Sequence, residues 1–335
     1  MIRIWMNHWF STAYEIINLI RRQRDEFFIV GSNRNEFSPI RQACDEWHVE
    51  PDLQGDDYVE YCLDFCRERH IDLFIPRRGM QAVSRQRERF ERQGTRVMTE
   101  SYPAMKVLGN KELAYERIGR MKLCRLPEYH IVSTTAEFLS CYRDMAKRYE
   151  RVCFKFVKDE GGQSFHVIDD APVTYHSLFY HHSTHIRLSE VVEALSRHDA
   201  FAFMMMMPFL AGDEVSVDCL RTKHGNIMVP RIKNYSRVER IAYDEDILAA
   251  CSRIITAFSL EYPCDIQFKY SDGIPYFLEV NTRMSGGIQM SCLATGINIP
   301  QIAVDKMLGR DAAWKLLKQP RRVAYVEHPV IVAEE

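Results

Sequence analysis

The sequence predicts an α/β fold that passes into α+β: a Rossmann-like N-terminal domain followed by two smaller subdomains. Three observations lead there. Over residues 1 to about 100, short apolar runs alternate with stretches of helical spacing, the pattern of a parallel sheet with crossover helices. From about residue 200, three strand-like runs follow one another before the next helix, which suits an α+β arrangement. The chain has 335 residues, 46% of them apolar, enough for two or three cores.

In the first domain "RIWM", "EFFIVG", "IDLFIP" and "TRVMT" read as strands. Between them, "STAYEIINLIRRQ" places Tyr14, Ile17 and Ile20/Ile16 on one side, and "DDYVEYCLDFCRERH" places Val59, Cys62, Leu63 and Cys66 on one side, both at helical spacing. No G-x-G-x-x-G follows the first strand, so a dinucleotide is not expected. Further on, "NKELAYERIGRM" is a helix opened by an Asn110 cap, "RLPEYHIV" a strand, "TAEFLSCYRDMAKRY" an amphipathic helix and "RVCFKFV" a strand. "FAFMMMMPFL", "EVSVDCL" and "NIMVPRIKNY" are the next strands. A helix over 244–259, a hairpin over 264–281 and a closing helix over 300–318 complete the chain. The expected domains are 1–105, 106–199 and 200–335.

A net charge of −2 offers no electrostatic footprint for nucleic acid or an anionic membrane. The arginine-rich "SRQRERFERQGTR" interleaves Glu88 and Glu91 at helical spacing and reads as a solvated, salt-bridged helix face. Arg3, Asn7 and His8 interrupt any signal core at the N-terminus, so a first strand and a cytoplasmic, reducing setting are expected. The ten cysteines then read as free thiols, with Cys62 and Cys66 one helical turn apart for packing. The run "AFAFMMMMPFLAG" falls short of the roughly 20 residues needed to span a bilayer and reads as a buried strand; core and interface both suit it, which leaves a homodimer open. His176, His181, His182, His185 and His198 crowd one segment without a nearby acidic or thiolate partner and read as polar surface.

Chemistry concentrates at "PYFLEVNTRMSGG". Successive strand side chains point to opposite faces, so Glu279 and Asn281 share one face, while Leu278 and Val280 take the other. Asp265 and Gln267 share a face of the preceding strand. "SDG" marks a turn near Asp272 and Gly273, which brings Gln267 about opposite Glu279. Such hard oxygen donors suit magnesium. Lys155 sits in mid-strand with Val152, Phe154 and Phe156 on the other face; a lysine there costs desolvation energy unless an anion meets it. The adjoining loop "KDEGGQSF" offers Gly161 and Gly162 for close backbone approach to phosphate, and the Ser164 hydroxyl. Arg77 and Arg78 follow the strand "IDLFIP", at the end where open α/β sheets place ligands, and Arg77 is a candidate for a substrate carboxylate.

The order of these elements resembles the ATP-grasp superfamily over nearly the whole chain. "FLEVNTRMSGG", "FKFVKDEGGQSF" and "MPFLAGDEVSVD" carry the resemblance. It is similar to the carbamoyl-phosphate synthetase and biotin carboxylase branch, and to ATP-grasp proteins beside tellurite-resistance gene clusters. The resemblance implies a Rossmann-like pre-ATP-grasp domain, ATP and two magnesium ions. It implies that Lys111 and Lys155 contact the α- and β-phosphates and that the loop Lys158, Glu160, Gly161, Gly162 and Ser164 closes over the triphosphate. Met207, Pro208 and Leu210 would line the adenine hinge, and Glu214 would hold the ribose. Gln267, Glu279 and Asn281 would take the magnesium ions, with Asp265 a substitute; the spacing of Gln267 and Glu279 matches the biotin carboxylase branch. Arg283 would stabilise the transferring phosphoryl group, Arg231 or Lys233 would reach the γ-phosphate, and Ser285 and Gly286 would join Arg283 at the substrate. The implied activity is an ATP-dependent ligase joining a small-molecule carboxylate to an amine, or to a thiol, through an acyl phosphate. A nucleotide sensor or scaffold without turnover, and a kinase releasing the phosphorylated acid, are the competing readings.

Overall fold

The computed structural model describes residues 1–159, 162–171, 184–233, 237–310, 313–327 and 329–332. The chain forms two compact units: residues 1–108, 213–268 and 280–335 in one, residues 109–212 and 269–279 in the other.

The first unit contains a parallel sheet of β1 (Ile2–Asn7), β2 (Phe27–Asn33), β3 (Glu46–Val49), β4 (Leu73–Ile75) and β5 (Arg96–Val97), in the order β3-β2-β1-β4-β5. The central strand β1 buries Trp5 on one face and Ile4 and Met6 on the other. Helix Ala13–Arg21 buries Ile16, Ile17 and Ile20, and helix Gly55–Glu68 buries Val59, Cys62, Leu63 and Cys66, the stripes that helical spacing marks. Strand β3 was not among the expected strands. Glu46 and His48 give this edge strand little apolar signal, and they bond each other at 2.6 Å.

In the second unit a five-stranded sheet runs in the order β6-β10-β7-β8-β9. Its strands are β6 (His130–Val132), β7 (Val152–Phe156), β8 (His166–Ile168), β9 (His185–Ile186) and β10 (Met204–Pro208). Strand β6 is shorter than "RLPEYHIV", because Pro127 has no N–H to give a ladder. The methionine run belongs to the core: Met204 and Met206 pack with Val152, Phe154 and Phe138. Asn110 caps helix Lys111–Arg120 by accepting from the Leu113 N–H, as its sequence position indicates.

The remaining sheet comprises β11 (Glu214–Thr222), β12 (Gly225–Lys233), β13 (Val238–Ile241), β14 (Cys264–Ser271), β15 (Ile274–Asn281) and β16 (Arg321–Ala324), in the order β15-β14-β11-β12-β13-β16. The hairpin turn falls on Asp272 and Gly273, both at positive φ (52° and 75°), the conformation tight hairpins require. One face assignment needs correcting. Phe277 is fully buried against Tyr115 while Leu278 is only half-buried, so the face that carries Glu279 also carries core packing.

The closing helix also differs from expectation. Helix Ile288–Thr295 precedes it, and the helix expected over 300–318 spans only Ile299–Met307. The first is buried almost all round and so lacks a periodic stripe. Beyond the second, Trp314 donates its indole N–H to Thr222 Oγ1 at 2.9 Å, a tertiary contact that sequence spacing does not encode. All ten cysteines are free. Among the described residues, no helix is long and apolar enough to cross a membrane.

Candidate active site

In the second unit, Lys111 opens its helix and Lys155 stands in the middle of β7, and both are almost fully buried, at 7% and 8% exposure. Strand alternation sends Val152 and Phe154 into the core and Lys155 to the opposite face. Lys111 Nζ donates to the Asp159 carbonyl at 2.7 Å and lies 3.6 Å from Glu279 Oε2. Burial holds the Lys155 ammonium below the ordinary lysine value; Glu279 opposes that shift and Lys111 adds to it. Two buried ammonium groups thus share the field of one carboxylate, with Asp159 a lesser influence on Lys155. Such an excess of positive charge in a poorly solvated site attracts an anion.

After β7, the described residues Phe156, Asp159 and Ser164 bond one another. Ser164 donates backbone N–H and hydroxyl to Asp159 Oδ2, at 3.0 and 2.6 Å, and its Oγ accepts from Phe156 N–H at 2.9 Å. Gly162 has φ +68°. Lys158 is exposed, and Glu160 and Gly161 lie outside the described residues. Along β10, Met207 pairs with Cys153 and Pro208 with Val152 across the β10–β7 ladder, and Met207, Pro208 and Leu210 are buried.

In the first unit, Asp265, Gln267 and Asn281 form one patch. The Asp265 Oδ2 accepts from Gln267 Nε2 at 2.6 Å and from Asn281 Nδ2 at 3.4 Å. Asp265 is 2% exposed; burial and the neighbouring Asp218 raise its carboxyl, against the pull of Arg231. Asp265, Gln267 and Asn281 all carry side-chain oxygens, the donor chemistry that magnesium selects over softer metals. Among the described residues no group of three His, Cys, Asp or Glu side chains is placed for a metal.

Arg231 is saturated by its own protein. Its guanidinium donates to Asp218 (2.8 Å), Glu239 (2.5 Å), Ser216 (3.0 Å) and Ser285 (2.9 Å). Burial alone would lower its pKa, but Asp218, Glu239 and Asp265 push it up. Ser285 in turn donates to Asp218 Oδ1, and a Cβ on Gly287 would meet the Arg231 guanidinium at 2.3 Å. Arg231 therefore braces the Ser285-Gly286-Gly287 turn. Lys233 pairs with Glu214 at 2.9 Å, directly across the β11–β12 ladder. Arg283 donates to the Met284 carbonyl and lies over the Phe10 ring, 5.5 Å from its centroid. Arg283, Lys233, Ser285 and Gly286 line a cavity of about 380 Å³.

At the end of β4, the Arg77 backbone N–H donates to Asn7 Oδ1 at 2.6 Å. Arg78 is structural: it pairs with Glu50 at 3.0 Å and covers the Tyr58 ring. His176, His181 and His182 lie outside the described residues. His185, expected to lack an acidic partner, meets Asp169 Oδ2 at 2.8 Å, because parallel pairing of β8 and β9 brings together residues sixteen positions apart. The arginine-rich helices carry the expected exposed ion pairs, Arg87 with Glu91 and Arg92 with Glu88.

The polar network of Ser216, Asp218, Glu239 and Ser291 around Arg231 was not among the sequence candidates. Its signal was available, since Ser216 and Asp218 alternate along an apolar strand in the way Asp265 and Gln267 do.

Residues 200–329 match the family model described as ATP-grasp in the biosynthetic pathway with Ter operon, and residues 11–98 match the PylC-like N-terminal domain. Sequence comparison with curated proteins gives no match. The fold is similar to an ADP complex of PurK, N5-carboxyaminoimidazole ribonucleotide synthetase (TM-score 0.71, 11% identity, covering 96% of this chain and 80% of that one). It is also similar to the biotin carboxylase domain of Hydrogenobacter thermophilus 2-oxoglutarate carboxylase (0.66, 14%, 94% and 71%) and to L-amino acid ligase from Bacillus licheniformis (0.65, 14%, 92% and 74%).

Proposed function

We propose, from the match of residues 200–329 to an ATP-grasp family model, that this chain is an ADP-forming ATP-grasp ligase that joins a small-molecule carboxylate to an amine or comparable nucleophile. The observation that carries the reading is the pair of buried lysines, Lys111 and Lys155, sharing Glu279. Their excess charge calls for a polyanion, and a nucleotide triphosphate meets it.

In this reading Lys111 and Lys155 hold the α- and β-phosphates, while the loop 158–164 excludes water that would destroy an acyl phosphate. Met207, Pro208 and Leu210 receive the adenine and Glu214 the ribose. Glu279, Asn281 and Gln267, with Asp265 as a further donor, hold magnesium, which when bound offsets phosphate charge. A substrate carboxylate oxygen bonds to the γ-phosphorus as the bridging O–P bond to ADP breaks. The amine nitrogen then bonds to the acyl carbon, phosphate leaves and the amine proton is released. Arg283 offsets charge on the transferring group, and Arg231 keeps the Ser285–Gly287 turn in place. Lys233, released from Glu214 when the ribose arrives, becomes available to the γ-phosphate, and Arg77 to the substrate.

The test is magnesium-dependent ADP release against pools of carboxylic acids, with and without amines. Turnover requiring both, and lost in Glu279→Ala, is the expected result. Full activity in that variant would sink the reading.

A further inference from the structure

Helix Lys111–Arg120 carries Lys111 at its first position and Tyr115 one turn later, so the two side chains share a face. Tyr115 is fully buried, and its ring lies 5.5 Å from Phe277 and 5.0 Å from Tyr129 between centroids. The Tyr115 hydroxyl donates to the Phe277 carbonyl at 3.0 Å, a bond closed off from solvent.

Phe277 lies in β15, which among the described residues ends its sheet. Its N–H donates to the Arg125 carbonyl at 2.9 Å, so both of its backbone groups meet the segment 115–125. A strand residue presents its N–H and C=O to one edge, and here that edge is served by a helix and the chain after it instead of another strand. Phe277 and Glu279 are two residues apart, so their side chains share a face of β15. Lys111, Tyr115, Arg125, Phe277 and Glu279 all belong to the second unit.

The two ends of this clamp are the charged groups of the candidate site. Four residues of helix lead from Tyr115 back to Lys111, about 6 Å of rise, and two of strand lead from Phe277 to Glu279, about 7 Å. Both routes are regular secondary structure, so fixing their meeting point sets the 3.6 Å separation of Lys111 Nζ from Glu279 Oε2. Lys111 is tied down separately, its N–H donating to the Val157 carbonyl at 3.2 Å and its Nζ to the Asp159 carbonyl at 2.7 Å. Phenylalanine would supply the same ring without the donor, so the hydroxyl is the part of Tyr115 that ties strand to helix.

We propose that Tyr115 is a positioning residue of the nucleotide site: its hydroxyl, through the Phe277 carbonyl, holds Glu279 at its distance from Lys111 before a nucleotide arrives. The role is indirect and rests on the reading of Lys111 as a phosphate ligand. Charge stabilisation by preplaced groups is sensitive to position, and a shift of about 1 Å costs up to about a hundredfold.

The experiment uses the full chain and magnesium-ADP as probe. Calorimetric affinity is read in the wild type, Tyr115→Phe, Lys111→Met and the double variant, with folding of each checked by denaturant titration. Tyr115→Phe is expected to weaken magnesium-ADP about tenfold in the wild-type background and no more than about twofold when Lys111 is already methionine. A hydroxyl with a purely structural role would weaken both backgrounds by the same factor. That result, or unchanged affinity in folded Tyr115→Phe, would overturn the proposal. Should Tyr115→Phe misfold, amide hydrogen exchange in the wild type carries the test. Equal protection of the Phe277 N–H with and without magnesium-ADP is expected of a clamp formed in advance; protection gained only with the nucleotide would overturn it. Wild-type affinity in Lys111→Met is the separate outcome that would remove the phosphate role of Lys111 itself, and this proposal with it.

Discussion

Lys155 concentrates the residue-scale argument. Its ammonium titrates below 10.5 because it is buried, against the help of Glu279. In the window below 10.5 the unfolded chain therefore binds more protons than the folded one, so this group makes stability rise with pH there. A bound polyanion reverses the shift. Nucleotide binding at alkaline pH should draw a proton into the protein, visible by calorimetry in buffers of different ionisation enthalpy. Lys155→Met should abolish that uptake; uptake of the same size in the variant would place the proton elsewhere. Glu100 has the opposite sign of shift. Burial raises it from 4.5 to about 7, although the Tyr262 and Glu261 N–H groups donate to it. The folded state then holds a proton the unfolded state has lost, so this residue makes stability fall as pH rises from 4.5 to about 7. Glu100→Gln should flatten that slope in denaturant titrations.

At the scale of elements, β12 and the turn after β15 depend on each other through Arg231. Arg231→Met leaves Asp218, Asp265 and Glu239 without their cation and should cost about 3–5 kcal/mol in unfolding free energy. Gly287→Ala forces a Cβ into the same guanidinium and should lower turnover more than nucleotide affinity, since the turn adjoins Arg283 rather than the lysines. A matched loss of both would separate the turn from the role given to it. Helix Lys111–Arg120 offers a smaller test. Asn110→Ala removes a cap worth about 1 kcal/mol, measurable by thermal unfolding, and loosens the helix end that carries Lys111.

For the molecule as a whole, ligand linkage gives the simplest check. Magnesium-ADP at a hundredfold excess over its dissociation constant should stabilise the chain by about 2.7 kcal/mol, and substitution of Lys111 and Lys155 by methionine should remove the effect.

Much of this protein was legible in its sequence because strands and helices bury one side, and burial leaves a period of two or 3.6 in the residues. That period gave the parallel sheet, the face of Lys155 and the shared faces of Asp265 with Gln267 and of Glu279 with Asn281, while the residue type at a helix start gave the Asn110 cap. It failed where a segment has no single buried side, as in helix Ile288–Thr295, or where a distant partner decides, as Thr222 does for Trp314. The sequence by itself determined which residues carry charge and which face of each element they occupy. Only the tertiary structure decided their company: that Lys111 meets Glu279, and that Arg231 is saturated by Asp218, Glu239, Ser216 and Ser285. The reason is physical. Local periodicity fixes direction within an element, whereas a hydrogen bond or ion pair needs two groups within about 3–4 Å, a distance that only packing between elements sets.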